Sequence, residues 1–348
     1  MRPGPVVLFG SGETSASGRR VFDWLFRRLE SPIRVVVLET PAGFQPNSAW
    51  VAEQVADFLR RRLQNYNPQV KVVPARKRGT PFSPDDPEVV APLWTANVFF
   101  AGPGSPTYAV RQLRDSLAWH VLLARHHLGA TVVLASAMPA AASTYTLPVY
   151  EIYKAGADLH WQPGLDFFGP YGLSLAIIPH WNNSEGGAHL DTSRCFMGQE
   201  RFARLVAQLP ADTTVVGIDE HTALVMDLAA ASYQVLGRGG VSIWCAGQER
   251  RYEAGQTGHL TELGPFRVPA PGTGLPPAIW SRAQETPPQE APAGPSPEVL
   301  TLVQRREAAR AARDWATADA LRAEITAQGW HIRDTATGPE LVPLAWIQ

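Results

Sequence analysis

Thr131-Val132-Val133-Leu134-Ala135-Ser136-Ala137-Met138-Pro139-Ala140-Ala141-Ala142 sets a run of apolar and β-branched residues directly against a run of mostly small ones. The first half reads as a strand covered on both faces, because such strands are continuously apolar rather than alternating. The second half suits a sharp turn from strand into helix. A serine at that turn stands at the carboxyl end of a sheet strand with its hydroxyl exposed, and the N–H of the next residue, Ala137, points where an oxyanion would form. A serine that merely caps a helix has the same local pattern, so other residues must decide between the two.

Comparable apolar runs occupy 5–9, 34–38, 70–74, 97–101, 175–178 and 214–218, and amphipathic helical patterns occupy 18–28, 49–63, 106–117 and 199–209. This alternation predicts an α/β fold with a mostly parallel sheet and helices on both faces. Short runs at 223–226, 233–236 and 241–244, with a Gly-rich turn at 237–240, predict antiparallel hairpins that extend the sheet edge.

The chain has 348 residues, 45% of them hydrophobic, which is enough for a large core and a second unit. Lys+Arg 31 against Asp+Glu 32 leaves a formal charge of -1, so there is no global pull toward nucleic acid or anionic membrane. The two cysteines, Cys195 and Cys245, are too few for a disulfide scaffold and lack zinc-site spacing, and no metal is expected. The first residues read as a strand rather than a targeting segment, and no run approaches the roughly 18 apolar residues of a membrane span. A soluble, cytoplasmic protein without membrane association is the expectation.

Ten prolines between Gly264 and Pro297 predict a linker over 265–295, separating a domain over 1–264 from a second unit over 296–348. In that unit Ser296-Pro297-Glu298 marks a helix start, and Asp314 can cap a second helix whose Trp315, Ala318, Leu321 and Ile325 share a face. Gly329 follows the second helix. The expectation is an α-helical hairpin.

Other residues able to carry chemistry lie after the apolar runs. Gly102-Pro103-Gly104-Ser105-Pro106 can bring backbone N–H groups to a ligand or simply make a turn. Gly10-Ser11-Gly12-Glu13 has the same ambiguity and lacks the dinucleotide fingerprint, and no cofactor is expected. His180 follows the run at 175–178 and precedes Trp181-Asn182-Asn183-Ser184-Glu185-Gly186-Gly187, where Asn182 and Asn183 are candidate substrate-binding residues. A serine nucleophile needs a base, usually histidine, and His120, His126, His127, His160, His189, His259 and His331 directly follow no such run. Asp219-Glu220-His221-Thr222 offers carboxylates that could orient a site or make turn hydrogen bonds.

Taken in order, Gly102-Pro103-Gly104, Ser136-Ala137, Pro179-His180-Trp181-Asn182-Asn183 and Gly217-Ile218-Asp219-Glu220-His221-Thr222-Ala223 resemble the serine-peptidase family of dipeptidase E and cyanophycinase over residues 1–264. The resemblance implies a class I glutamine-amidotransferase-like sheet, with Ser136 as nucleophile, His180 as base, and the N–H groups of Gly104 and Ala137 as the oxyanion site. For the acid it implies either Glu151, shortly after the nucleophile and slightly favoured, or an acid at Asp219-Glu220. The substrate it implies is a small peptide or amide. The chain departs from the family at Met138-Pro139, where a glycine is expected, and at Ser105, where an amide side chain is common. The Asp-Gln-His-Phe and arginine cluster of cyanophycinase are absent, which argues against cyanophycin as substrate. Arg194, Arg201 and Arg204 could bind a carboxylate or form a solvated face.

Arg305-Arg306-Glu307-Ala308-Ala309-Arg310, Asp314-Trp315, Ala318-Asp319, Leu321-Arg322, Gly329 and Asp334-Thr335 resemble the carboxyl-terminal end of cysteinyl-tRNA synthetases. That implies weak tRNA contact through Arg305, Arg306 and Arg310, although nearly balanced charge makes a poor phosphate footprint. Three readings compete: a divergent serine hydrolase, a non-catalytic binding module with a tRNA- or protein-contacting hairpin, and an amidotransferase-like partner protein.

Overall fold

The computed structural model describes residues 2–245, 247–286, 295–335 and 338–344. The chain divides into two compact units, residues 1–288 and 289–348.

In chain order the strands of the large unit are β1 (Val6–Phe9), β2 (Arg34–Leu38), β3 (Gln69–Val73), β4 (Val98–Ala101), β5 (Thr131–Ala135), β6 (Tyr145–Thr146), β7 (Gln162–Pro163), β8 (Leu175–Ile178), β9 (Thr214–Ile218), β10 (Thr222–Asp227), β11 (Ser232–Gly237), β12 (Gly240–Cys245), β13 (Gln248–Glu253) and β14 (Thr257–His259). An eight-stranded sheet has the order β14-β11-β10-β1-β5-β4-β2-β3, and a four-stranded sheet has the order β13-β12-β9-β8. β6 and β7 form a small separate pair. Neighbours from β1 through β5, β4 and β2 to β3 run parallel, as do β8 and β9, whereas β10 to β14 pair antiparallel. The parallel strands β1, β2, β4, β5, β8 and β9 are buried at every position, as their unbroken apolar runs require.

Helices cover both faces of the large sheet. On one side Ala16–Phe26 and Ser48–Arg62 bury Phe22, Leu25, Val55 and Leu59 against Val7, Val35 and Val133. On the other, Pro106–Leu113 and Leu117–His127 bury Leu113, Val121 and Leu122 with Leu8, Val132 and Leu134.

Three features of the large unit differ from the sequence expectation. The helical pattern at 106–117 stops at Leu113, because Asp115 adopts φ 56° and Ser116 caps a new helix by accepting from Trp119 N–H at 3.1 Å. The glycines at 237–240 do not close a hairpin: β11 and β12 lie in different sheets, and the turn carries the chain between them. Most of the expected linker is folded. Pro276 and Pro277 open a helix, Pro277–Glu285, where missing N–H groups cost nothing, and Ala283 is buried in the main core. Arg267 N–H donates to Tyr171 O at 2.9 Å, Gly272 N–H to His127 Nδ1 at 3.0 Å, and Arg125 Nη1 to Thr286 O at 3.0 Å. Residues 287–294 of the expected linker lie outside the described residues.

In the small unit, helices Pro297–Ala311 and Trp315–Ala327 form the expected hairpin, capped by Ser296 and Asp314. An antiparallel ribbon follows, β15 (Trp330–Thr335) with β16 (Gly338–Pro343), which the purely helical expectation missed. Leu302, Leu321, Ile325 and Ile332 close the core, while Trp315 is 59% exposed, off the face assigned to it.

Candidate active site

Ser136, Gly104, His180 and Glu220 all lie just beyond the carboxyl ends of parallel strands, β5, β4, β8 and β9 respectively, and that is where open α/β sheets collect ligands. β5 and β4 are neighbours in the large sheet, and β8 and β9 pair in the small one. The sheets meet at Gly10, whose N–H donates to Thr222 O at 3.0 Å and whose carbonyl accepts from His180 N–H at 3.2 Å. A Cβ on Gly10 would lie 2.2 Å from the carbonyl oxygen of Asp219, so only glycine permits this approach.

Ser136 has φ 55° and ψ −107°, a conformation outside the regions that L-residues readily occupy. Its N–H donates to Phe9 O at 3.2 Å, which ties the turn to β1. The helix Ala137–Ala142 starts at once and buries all its residues. Met138, in place of the glycine expected after the nucleophile, is fully buried in the main core and leaves the turn intact.

His180 also has a positive φ, 51°. Its carbonyl accepts from the N–H groups of Asn183 at 3.1 Å and Cys195 at 3.2 Å, which fixes the residue from three sides with Gly10. The Nε2 lies 3.1 Å from Ser136 Oγ, and Nδ1 lies 2.9 Å from Glu220 Oε1. With its proton on Nδ1 the ring donates to Glu220 and presents an acceptor to the serine.

The carboxylate behind the imidazole is therefore Glu220, not Glu151, which the sequence reading favoured. Glu151 stands on the helix Val149–Tyr153 and accepts from Thr107 Oγ1 at 2.6 Å. Of the two alternatives the family resemblance implies, the acid at Asp219-Glu220 is the one in contact with the ring, because the turn after β9 reaches the imidazole. Asn182 and Asn183, expected to contact substrate, hold Glu220 instead: Glu220 N–H donates to Asn182 Oδ1 at 2.8 Å, and Asn183 Nδ2 donates to Glu220 Oε1 at 3.0 Å. The hydrogen bond from His180, followed by that from Asn183, outweighs burial and holds the Glu220 carboxyl down at about 2. Asp219 is buried, accepts from Gly240 N–H at 2.9 Å and pairs with Arg251 at 2.6 Å, so it braces the turn that carries Glu220. No signal in the sequence separated Asp219 from Glu220.

Ala137 and Gly104 line the same cleft, and the N–H of neither donates to another backbone group among the described residues. Gly104 has φ 150°, and a Cβ there would lie 2.0 Å from Pro41 O, so the position admits no side chain. The cleft has a volume of about 220 Å³, and its walls beyond the serine and histidine include Val149, Tyr150, Tyr153 and Phe196. Cys195 also lines it, but burial pushes that thiol up to about 12, so it stays protonated at neutral pH. Arg194 lies over the Trp181 ring at 3.9 Å and donates to Trp181 O, and Arg201 donates to Met197 O and Phe196 O.

Of the three arginines expected to contact tRNA, only Arg305 is free of an ion pair among the described residues. Arg306 is 3% exposed and makes a two-pronged pair with Asp334 at 2.9 and 3.0 Å, and Arg310 also pairs with Asp334. Those bonds hold the Asp334 carboxyl at about 2.

The fold and this cluster define an α/β protein with a serine, histidine and glutamate in hydrogen-bonded series at a strained strand-to-helix turn. A crystal structure of a peptidase from an acI-B1 Actinobacterium has the same fold, with a TM-score of 0.59 and 22% identity, over 74% of this chain and 97% of that one. Residues 293–338 match the family model described as the cysteinyl-tRNA ligase anticodon binding domain. The chain is 56% identical over 50 residues to the cysteine–tRNA ligase of Rubrobacter xylanophilus and 48% identical over 61 residues to that of Opitutus terrae. Those matches take in 14% and 18% of this chain and only 11% and 12% of the two ligases. No described helix is long and apolar enough to cross a membrane.

Proposed function

We propose that the large unit is a serine hydrolase that cleaves a small peptide or amide. The observation that carries this reading is the unbroken series from Ser136 Oγ to His180 Nε2 at 3.1 Å and from His180 Nδ1 to Glu220 Oε1 at 2.9 Å, set on the strained turn. Serine attack on the carbonyl passes the hydroxyl proton to His180 Nε2. The Ala137 and Gly104 N–H groups stabilise the oxyanion, and the imidazolium returns the proton to the leaving amine. Water then attacks the acyl ester by the same route in reverse, releasing the acid and restoring Ser136. Glu220 keeps the imidazole in the required tautomer and offsets its positive charge. A cleft of about 220 Å³ suits one or two residues of a peptide better than a folded protein chain.

The test is labelling with a fluorophosphonate followed by mapping of the modified peptide. Modification at Ser136, lost in both Ser136→Ala and His180→Ala, is the expected result; labelling that survives Ser136→Ala sinks the proposal. The small unit supports a second reading, tRNA contact, through its match to an anticodon-binding model and the exposed Arg305 and Arg313. Filter binding of bulk tRNA that persists after deletion of residues 296–348 would refute that assignment.

A further inference from the structure

Beside the catalytic cleft lies a second and larger depression of about 660 Å³, and Tyr150 lines both. The Gly104–Thr107 segment also divides them, Gly104 and Pro106 facing the cleft and Ser105 and Thr107 the depression. Its exposed aromatic surface comes from Phe44, 49% exposed, and Tyr150, 41% exposed, while Tyr108, also in the wall, is buried. Phe44 and Tyr108 pack with ring centroids 5.1 Å apart.

Two arginines stand on the rim, Arg111 in the last turn of the helix Pro106–Leu113 and Arg114 just after it. Arg111 lies 5.1 Å from the Tyr108 ring centroid and makes no ion pair or hydrogen bond among the described residues. Arg114 donates from Nη2 to the carbonyls of Pro163 and Gly164, both at 2.8 Å, and meets no carboxylate. Among the described lining residues the one acid, Glu151, is outnumbered by the two arginines; its Oε1 accepts from Thr107, and its Oε2 is sealed from solvent without a hydrogen-bond partner. The depression thus offers an excess of positive charge beside exposed aromatic faces, the combination that binds a carboxylate on an aromatic residue.

We propose that this depression is a distal subsite for the carboxyl-terminal residue of a peptide whose other end occupies the Ser136 cleft, with Arg111 reading the free carboxylate and the exposed Phe44 and Tyr150 rings holding an aromatic side chain. The proposal rests on reading the cleft as a peptide site, but not on turnover. It extends the substrate beyond what the cleft alone can enclose.

Calorimetric titration of the full-length Ser136→Ala protein with Ala-Ala-Tyr and with its carboxyl-terminal amide tests it. The free acid is expected to bind about tenfold more tightly than the amide, and Arg111→Gln should abolish that preference while leaving the amide's affinity unchanged. Equal binding of acid and amide, no binding of either, or a preference that survives Arg111→Gln overturns the proposal. Fluorophosphonate labelling of wild-type and Arg111→Gln proteins reports separately on the nucleophile, because Arg111 does not line that cleft. Equal binding of acid and amide by the Ser136→Ala protein, alongside normal Ser136 labelling of the wild type, therefore counts against the subsite alone.

Discussion

The turn that carries Glu220 and the ribbon that carries Asp334 both hold a carboxylate near the bottom of its titration range, but they do so for different ends. Glu220 is fixed by an imidazole and an amide, in a cleft lined by the strained Ser136 together with Gly104 and Ala137. Asp334 is fixed by two guanidinium groups, one of them 3% exposed. A depressed carboxylate alone therefore does not mark a reacting centre. What separates the two is whether the hydrogen-bonded chain ends on a group with unused chemistry, as at Ser136, or closes on itself, as at Arg306.

The sharpest way to break that contrast is to remove the acid behind the imidazole. Glu220→Gln should lower kcat for a cleaved peptide or ester by about 10³-fold to 10⁴-fold, because an amide can stabilise the wrong tautomer and cannot offset the imidazolium. Glu151→Gln should leave kcat within about threefold, since no atom of Glu151 is bonded to His180. The reverse order of effects, measured side by side, would restore Glu151 as the orienting acid.

Arg306→Met is the matching perturbation in the small unit. It leaves Asp334 largely hydrated, because that side chain is 45% exposed, and it replaces a buried charge with a flexible apolar chain. The opposite change, Asp334→Ala, leaves the buried Arg306 with only its pair to Glu307 at 2.7 Å and should cost about 2 kcal/mol in denaturant unfolding of the small unit, below the usual range for a broken buried pair because Asp334 is partly solvated and one ion pair remains. Ser136 labelling should be unchanged in both variants. A larger loss from Arg306→Met than from Asp334→Ala would contradict the pairing as described.

The pH dependence follows from the same carboxylate. Its folded value, about 2, is depressed below the ordinary 3.8, so the pair's contribution is fully present above about pH 4 and is lost as pH falls toward 2. Wild-type protein should therefore lose stability on this account across that window, and Asp334→Ala should flatten that part of the profile. An equal slope in both proteins would assign the acid sensitivity to other groups.

Much of this arrangement was legible in the chain, and the illegible parts have physical reasons. Continuous apolar runs located the parallel strands other than the edge strand β3, because burial on both faces leaves little choice of residue type. Ser136 and His180 could be read because each directly follows such a run. Glu220 could not be chosen over Asp219 or Glu151, because the choice depends on which side chain of a turn faces across to another strand's end, and neighbouring residues point in opposite directions. The helix Pro277–Glu285 was hidden by its prolines, whose effect depends on position: at the first turn they are compatible with a helix that a core face then holds. Arg306 was read as a surface cation because its burial comes from the ribbon beyond the hairpin.

The smallest expected effect is also the most discriminating about how the cleft was assigned. Asn183 is buried, donates to Glu220 Oε1, and accepts from Glu185 N–H at 3.2 Å, so both ends of its amide are engaged within the protein. Asn183→Ala removes one of the two donors on that carboxylate oxygen and leaves the His180 contact. Because the loss acts through the orientation of Glu220, kcat should fall by about tenfold while KM moves by less than about twofold. If Asn183 instead touched substrate, as its place in the polar segment after His180 suggested, ground-state binding would weaken and KM would carry the change. A rise in KM at constant kcat would transfer Asn183 from the support of Glu220 to the substrate surface, and the hydrogen bond in the free protein would then be one that substrate replaces.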